Sequence, residues 1–221
     1  MPRLSERPDW FYVIREFDYA YRTGSAGGSD LIRSHMKKVR DGLARVFASD
    51  PEVIPPEPTS RPVCDHLERA LDNGLDGATR SMVKAIENVK SELRWDQGYE
   101  RMPKHLDRKF AYAELLGPNG PVVWPELTVG LVLFAPRTTY PAHSHDGITE
   151  SYLSLSGFWS ENDAGVYAPG SMVLNLPRYT HTITTAEREP ALLAYAWTGP
   201  AERLANPGMR FSRKSNRPRA A

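Results

Sequence analysis

Residues Tyr140-Pro-Ala-His143-Ser-His145-Asp-Gly-Ile-Thr-Glu150-Ser-Tyr152-Leu-Ser-Leu-Ser-Gly157 place two histidines two positions apart, followed by a carboxylate and a tyrosine at the same spacing. In an extended strand, side chains at i and i+2 share a face. His143 and His145 therefore point one way, and Glu150 and Tyr152 share a face of the next strand, with Asp146-Gly147 supplying the turn between them. Two imidazoles and a carboxylate facing each other inside a barrel make a metal site, and His181 from a later strand completes a shell of three nitrogens and one oxygen. Any one of these histidines alone reads as a hydrogen-bonded core or rim residue. Together they read as ligands of a divalent transition metal, and zinc, iron, manganese, cobalt and nickel all fit such a shell.

The surrounding sequence is rich in short β-type runs broken by Gly, Pro and Asn: 110–116, 127–135, 148–156, 166–168, 171–176, 181–185 and 191–197. Several short strands with turn signals between them predict a sandwich or barrel. The texture before residue 108 is different. Trp10, Ile14, Phe17 and Tyr21 recur at helical spacing over 8–22, as do Ile32, Met36, Val39 and Leu43 over 30–48, with Ser29 as N-cap. Shorter helices are predicted over 63–73 and 77–94. Pro51–Pro62, with five prolines in twelve positions, is irregular. The expected organisation is an N-terminal helical region over 1–107, a barrel carrying the metal site over 108–205, and a basic tail over 206–221.

Composition sets the outer limits. The chain has 221 residues, with 28 Lys+Arg against 27 Asp+Glu, a net charge of +1. So even a balance argues against a nucleic-acid or membrane-surface binder. The single cysteine, Cys64, excludes an internal disulfide framework and a cysteine-based zinc site. With no long apolar run and no apolar segment near the start, the expectation is a cytoplasmic protein.

His143-x-His145-x4-Glu150-x6-Gly157 resembles the first cupin motif, and Gly170 through Pro177 to His181 resembles the second. The glycine usual six positions before the first histidine is Arg137 here. The resemblance implies a mainly β protein with added helix: a C-terminal cupin, or double-stranded β-helix, barrel with an N-terminal helical layer. Cupins host many chemistries, so the motif pair does not name a reaction.

Longer stretches are similar to the cupin-type dimethylsulfoniopropionate lyases, most of all the DddL type. They include 139–157, 160–177 and 192–204 in the barrel, and 22–40, 61–74 and 111–121 before and at its start. That resemblance implies cleavage of dimethylsulfoniopropionate to acrylate and dimethyl sulfide with a bound divalent metal. It also implies a catalytic tyrosine two positions after the ligand carboxylate, which is Tyr152.

The chemistry is consistent with those residues. Elimination needs removal of a proton α to the substrate carboxylate and loss of a neutral sulfide from the β carbon. A metal cation binding the carboxylate stabilises the developing charge. A nearby cation also favours phenolate, making Tyr152 usable as a base. Tyr140 is the rival: it lies an odd number of positions from both histidines and faces away in an ideal strand, unless Pro141 breaks the alternation. Trp159, Tyr167, Trp197 and Phe134 are candidate faces for the sulfonium. Two alternatives stay open on the residues alone, an Fe(II)-dependent cupin oxygenase and a non-enzymatic small-molecule-binding cupin. A homodimer is compatible with the helical region.

Overall fold

The computed structural model describes residues 1–24, 29–98 and 103–208. The glycine- and serine-rich stretch at 25–28 and the basic tail from 209 onward lie outside the described residues.

Among the described residues four α-helices precede the first strand: α1 (Pro8–Thr23), α2 (Asp30–Ser49), α3 (Leu67–Gly74) and α4 (Arg80–Val89). The first two follow the apolar spacing closely. Ser29 Oγ accepts the N–H of Ile32 at the start of α2, and Asp50, at φ 47°, turns the chain out of it before Pro51. The other two are shorter than their patterns. Residues 62–66 and 90–92 are 3-10 turns rather than α-helix. The proline-rich connection is irregular but anchored, since the Ile54 N–H donates to Pro121 O and the Trp95 N–H to Thr59 O. None of the described helices is long and apolar enough to cross a membrane.

Ten strands follow: β1 (Phe110–Gly117), β2 (Val122–Val123), β3 (Thr128–Phe134), β4 (Thr139–His143), β5 (Thr149–Ser156), β6 (Trp159–Glu161), β7 (Val166–Tyr167), β8 (Met172–Asn175), β9 (His181–Thr185) and β10 (Ala191–Thr198). They form a six-stranded sheet, β2-β1-β3-β10-β5-β8, and a four-stranded sheet, β4-β9-β6-β7. The two sheets face each other as the double-stranded β-helix. A short helix, α5 (Ala201–Ala205), follows β10.

β2, β4 and β6 do not stand out in the sequence. β2 and β6 are two and three residues long, too short to show a period. β4 contains Pro141, which cannot donate to a ladder and is tolerated only at an edge or a bulge. Both conditions hold: β4 is the edge of its sheet, and its pairing with β9 slips between Tyr140 and His143.

The large sheet is buried on both faces, which explains why β3 and β10 read as continuous apolar runs rather than alternating ones. One core lies between its outer face and the helices, joining Trp10, Ile14, Phe17, Val39 and Leu43 to Leu131, Leu153, Leu155, Leu192 and Ala194. The other fills the barrel and is largely aromatic, with Phe110, Phe134, Tyr140, Tyr152, Trp159, Tyr195 and Trp197. Alternate residues of one strand therefore serve two cores.

Two positions near the motif ends show why the chain turns where it does. Arg137 adopts φ 55°, the left-handed conformation that the usual glycine takes without strain. Gly157 keeps its glycine: at φ +74° a Cβ would meet Pro190 O at 2.2 Å.

Candidate metal centre and cavity

Each of the four sequence-predicted ligands comes from a different piece of the barrel. His143 is the last residue of β4 and His181 the first of β9, and the two are paired across the small sheet. His145 lies just beyond β4, where its carbonyl accepts the Arg178 N–H. Glu150 is on β5, in the facing sheet. All four are buried, and one ligand atom from each lies within 4.8 Å of the others.

The surrounding hydrogen bonds leave the inward atoms available. His143 Nδ1 meets Pro141 O at 3.0 Å and His181 Nδ1 meets Tyr179 O at 3.3 Å, so each ring presents Nε2 to the cluster. Among the described residues neither nitrogen of His145 has a hydrogen-bond partner, although both are buried, and Nε2 of His181 faces only Glu150 Oε2, at 3.2 Å. Glu150 is held by the Trp197 indole N–H at 2.7 Å on Oε1 and by the Asn175 amide at 3.4 Å on Oε2. Asn175 also donates to Glu161 at 2.8 Å. Orphaned imidazole nitrogens around a fixed carboxylate are the donor set a divalent ion completes, and outer hydrogen bonds of this type set ring orientation in metal sites.

Electrostatics agrees with that fit at His143, His145 and Glu150. Burial pushes the His143 imidazole down to about 3, with His181 adding to the effect. Burial also lowers His145. Both are therefore neutral near pH 7, as ligands must be. Burial opposes ionisation of Glu150, yet His145 and His181 hold it well below the usual carboxylate range. Burial likewise works against a charged His181, and Glu150, 3.2 Å away, outweighs it and raises its affinity for a proton.

A cavity of about 890 Å³ opens onto the cluster, lined by His143, His145 and Glu150 together with Tyr140 and Tyr152. Tyr152 lies one pleat inward from Glu150 on β5, its ring 6.3 Å from that of His181. Tyr140 also reaches the cavity, because the slipped pairing of β4 cancels the alternation that would have turned it away. Its ring centre is 4.7 Å from that of His143. Of the aromatic residues considered for the sulfonium, Phe134 and Trp197 line the cavity, whereas Trp159 packs in the barrel interior against Tyr152 and Tyr167.

Sequence reasoning missed another wall. Phe110, Tyr112 and Glu114 of β1 line the cavity, as does Tyr195 of β10. Their period of two in FAYAELL, against Ala111, Ala113 and Leu115 on the other face, is the signal that finds them. His35 is structural: it shares a hydrogen bond with Ser151 Oγ at 2.8 Å on the outer face of β5, where Tyr21 OH also meets Ser151 at 2.6 Å.

Residues 35–193 match the family profile of dimethylsulfoniopropionate lyase. A protein of Cereibacter sphaeroides assigned as the dimethylsulfoniopropionate lyase DddL is 54% identical over 210 residues, covering 95% of this chain and 90% of that one. In fold, the chain is similar to one from the crystal structures of the DMSP lyases RdDddP and RnDddQII, with TM-score 0.66, 20% identity, and 94% and 99% of the two chains covered. It is also similar to DMSP lyase DddQ from Ruegeria pomeroyi DSS-3, with TM-score 0.64, 20% identity, and coverage of 87% and 92%. The buried three-histidine, one-carboxylate cluster beside an aromatic cavity is thus carried by a chain that belongs to the dimethylsulfoniopropionate lyase family.

Proposed function

We propose that the chain cleaves dimethylsulfoniopropionate by β-elimination at the four-residue cluster, with His143, His145, Glu150 and His181 as ligands of a divalent transition metal. The observation that carries this reading is the convergence of four buried ligand atoms within 4.8 Å, three of them from residues that line a cavity shared by two tyrosines. A divalent ion held there supplies a Lewis acid to the carboxylate of a bound substrate.

The chain's own groups do the rest. Tyr152 is the base that removes the α proton; it is 4% exposed and lies one pleat from Glu150, so its hydroxyl works out of contact with bulk water. Tyr140, stacked edge-on to His143, orients the substrate. As the proton leaves Cα, its bonding pair forms the Cα=Cβ double bond of acrylate. The Cβ–S bond breaks with its pair on sulfur, and neutral dimethyl sulfide departs. No oxidant enters this balance, which separates the reading from an Fe(II) oxygenase.

The test is release of dimethyl sulfide to the headspace, with acrylate in solution, from purified metal-loaded protein given dimethylsulfoniopropionate without oxygen. Equal amounts of both products are expected. Absence of product in every metal form would overturn the assignment, and product only in air would favour the oxygenase.

A further inference from the structure

The cavity has a second polar end that the metal chemistry does not use. Across the large sheet, Glu114 is paired with Gly130, Gly130 with Tyr195, and Tyr195 with Tyr152, so these positions form one row. Gly130 is the gap in that row. A Cβ there would meet Tyr195 Cε1 and Cζ at 2.7 Å, so the missing side chain lets the Tyr195 ring lie across β3 toward β1. Tyr195 is 2% exposed, lines the cavity, and its hydroxyl has no hydrogen-bond partner among the described residues.

Glu114 stands at the end of the row. One carboxylate oxygen accepts the Asn119 N–H at 2.9 Å, and the Gly120 N–H also bonds to the group. Among the described residues no basic side chain pairs with it. The nearby Arg94 and Arg61 are both directed to Asp96 instead. Burial pushes the Glu114 carboxyl up to about 7, against the two N–H groups that favour its charge. A carboxylate left without a counter-charge on a cavity wall is a group waiting for a cation.

We propose that Glu114, with Tyr112 and Tyr195 beside it, is the cation-recognising end of the cavity and receives the sulfonium of a substrate whose carboxylate sits at the histidine cluster. The inference rests on the lyase reading for the identity of that cation. The cavity is then bipolar, matched to a zwitterion: a carboxylate is drawn to one end, and a positive group to the carboxylate and aromatic faces at the other. Glu114 is a specificity-determining residue in this arrangement, because it discriminates a charged leaving group from a neutral one.

The experiment compares two unreactive carboxylates of the same shape and different charge, 3-(trimethylammonio)propionate and 4,4-dimethylpentanoate, by calorimetric binding to the metal-loaded protein. The wild-type protein is expected to prefer the cation by roughly 10- to 100-fold. Glu114→Gln keeps an acceptor oxygen for the two N–H groups and removes only the charge. It is expected to abolish the preference while leaving affinity for the neutral ligand unchanged. A wild-type protein with no preference, or a variant that retains it, would overturn the proposal. Equal loss of both ligands would do the same, because it marks Glu114 as a purely structural support. Dimethyl sulfide release is measured in parallel. Charge preference without release keeps the cation site and removes the lyase reading, whereas release without preference does the reverse.

Discussion

Tyr140 and His143 sit three positions apart on one strand and still face the same cavity, because their partners on β9, Ile183 and His181, are only two apart. The extra residue in β4 is a bulge, and it reverses the side to which Tyr140 would otherwise point. Two tyrosines therefore share the site, one from each sheet.

Their roles separate by substitution. Tyr152→Phe is expected to lower turnover by about 10²- to 10⁴-fold while metal content and folding are retained. Tyr140→Phe is expected to act mainly on KM. Steady-state dimethyl sulfide release with metal analysis of each variant checks this, and a Tyr152→Phe protein of normal turnover would shift the base to Tyr140.

His181 is wholly buried and 3.2 Å from Glu150. Replacing it with alanine removes a proposed ligand and leaves Glu150 with less compensation for its burial. Bound metal per chain, read by elemental analysis after dialysis, is expected to fall below one, with activity falling in proportion. Chelation of the wild-type protein should abolish turnover and lower its melting temperature, as loss of any ligand bound only to the folded state does. Full metal occupancy in His181→Ala would break the four-ligand set.

Glu114 makes a prediction about stability as well as specificity. Its carboxyl is raised from 4.5 to about 7 in the folded chain. The folded state therefore holds this proton more tightly than the unfolded one. Below the unfolded value both states are protonated and the site costs nothing. As pH rises toward 7 the cost appears, and above 7 it is complete. Glu114→Gln should thus stabilise the fold by about 1–3 kcal/mol near pH 8, the gain vanishing near pH 4. Urea unfolding at both pH values checks the sign.

Arg137 holds φ 55° while its N–H donates to Ala186 O and its carbonyl accepts Lys109 Nζ. Both are backbone groups, so Arg137→Gly keeps them and removes the strain. The expected gain is about 0.5–1 kcal/mol, measured by thermal unfolding, with no change in activity.

How much of this was legible beforehand depends on where side-chain alternation holds. It holds along β5, so Glu150 and Tyr152 could be placed on one face from spacing alone. It fails at Pro141, so neither β4 as a strand nor the inward turn of Tyr140 could be read from period. The proposed ligand His145 lies past the end of β4, and the loop conformation, rather than strand geometry, brings it to His143. On β1 the alternation of Phe110, Tyr112 and Glu114 was present in the sequence. Its meaning depended on Gly130 two strands from Tyr152, a relation that only the folded sheet supplies. α1 and α2 were legible because their apolar stripes are long. α3 follows one 3-10 turn and α4 runs into another, and both turns carry the same spacing.

The two-faced burial of β5 bears on whether the catalytic barrel could exist apart from its helices. Glu150 and Tyr152 look into the cavity, while Ser151 and Leu153 look out, toward His35, Tyr21 and the helical core. A barrel cut free near residue 108 would bare Leu131, Leu153, Leu155 and Leu192 as one continuous apolar sheet, a surface that drives association. The helices are in that sense part of the strand that carries Glu150 and Tyr152, and a shorter, self-sufficient form of this enzyme would need a new polar outer face on the sheet before any change to its site.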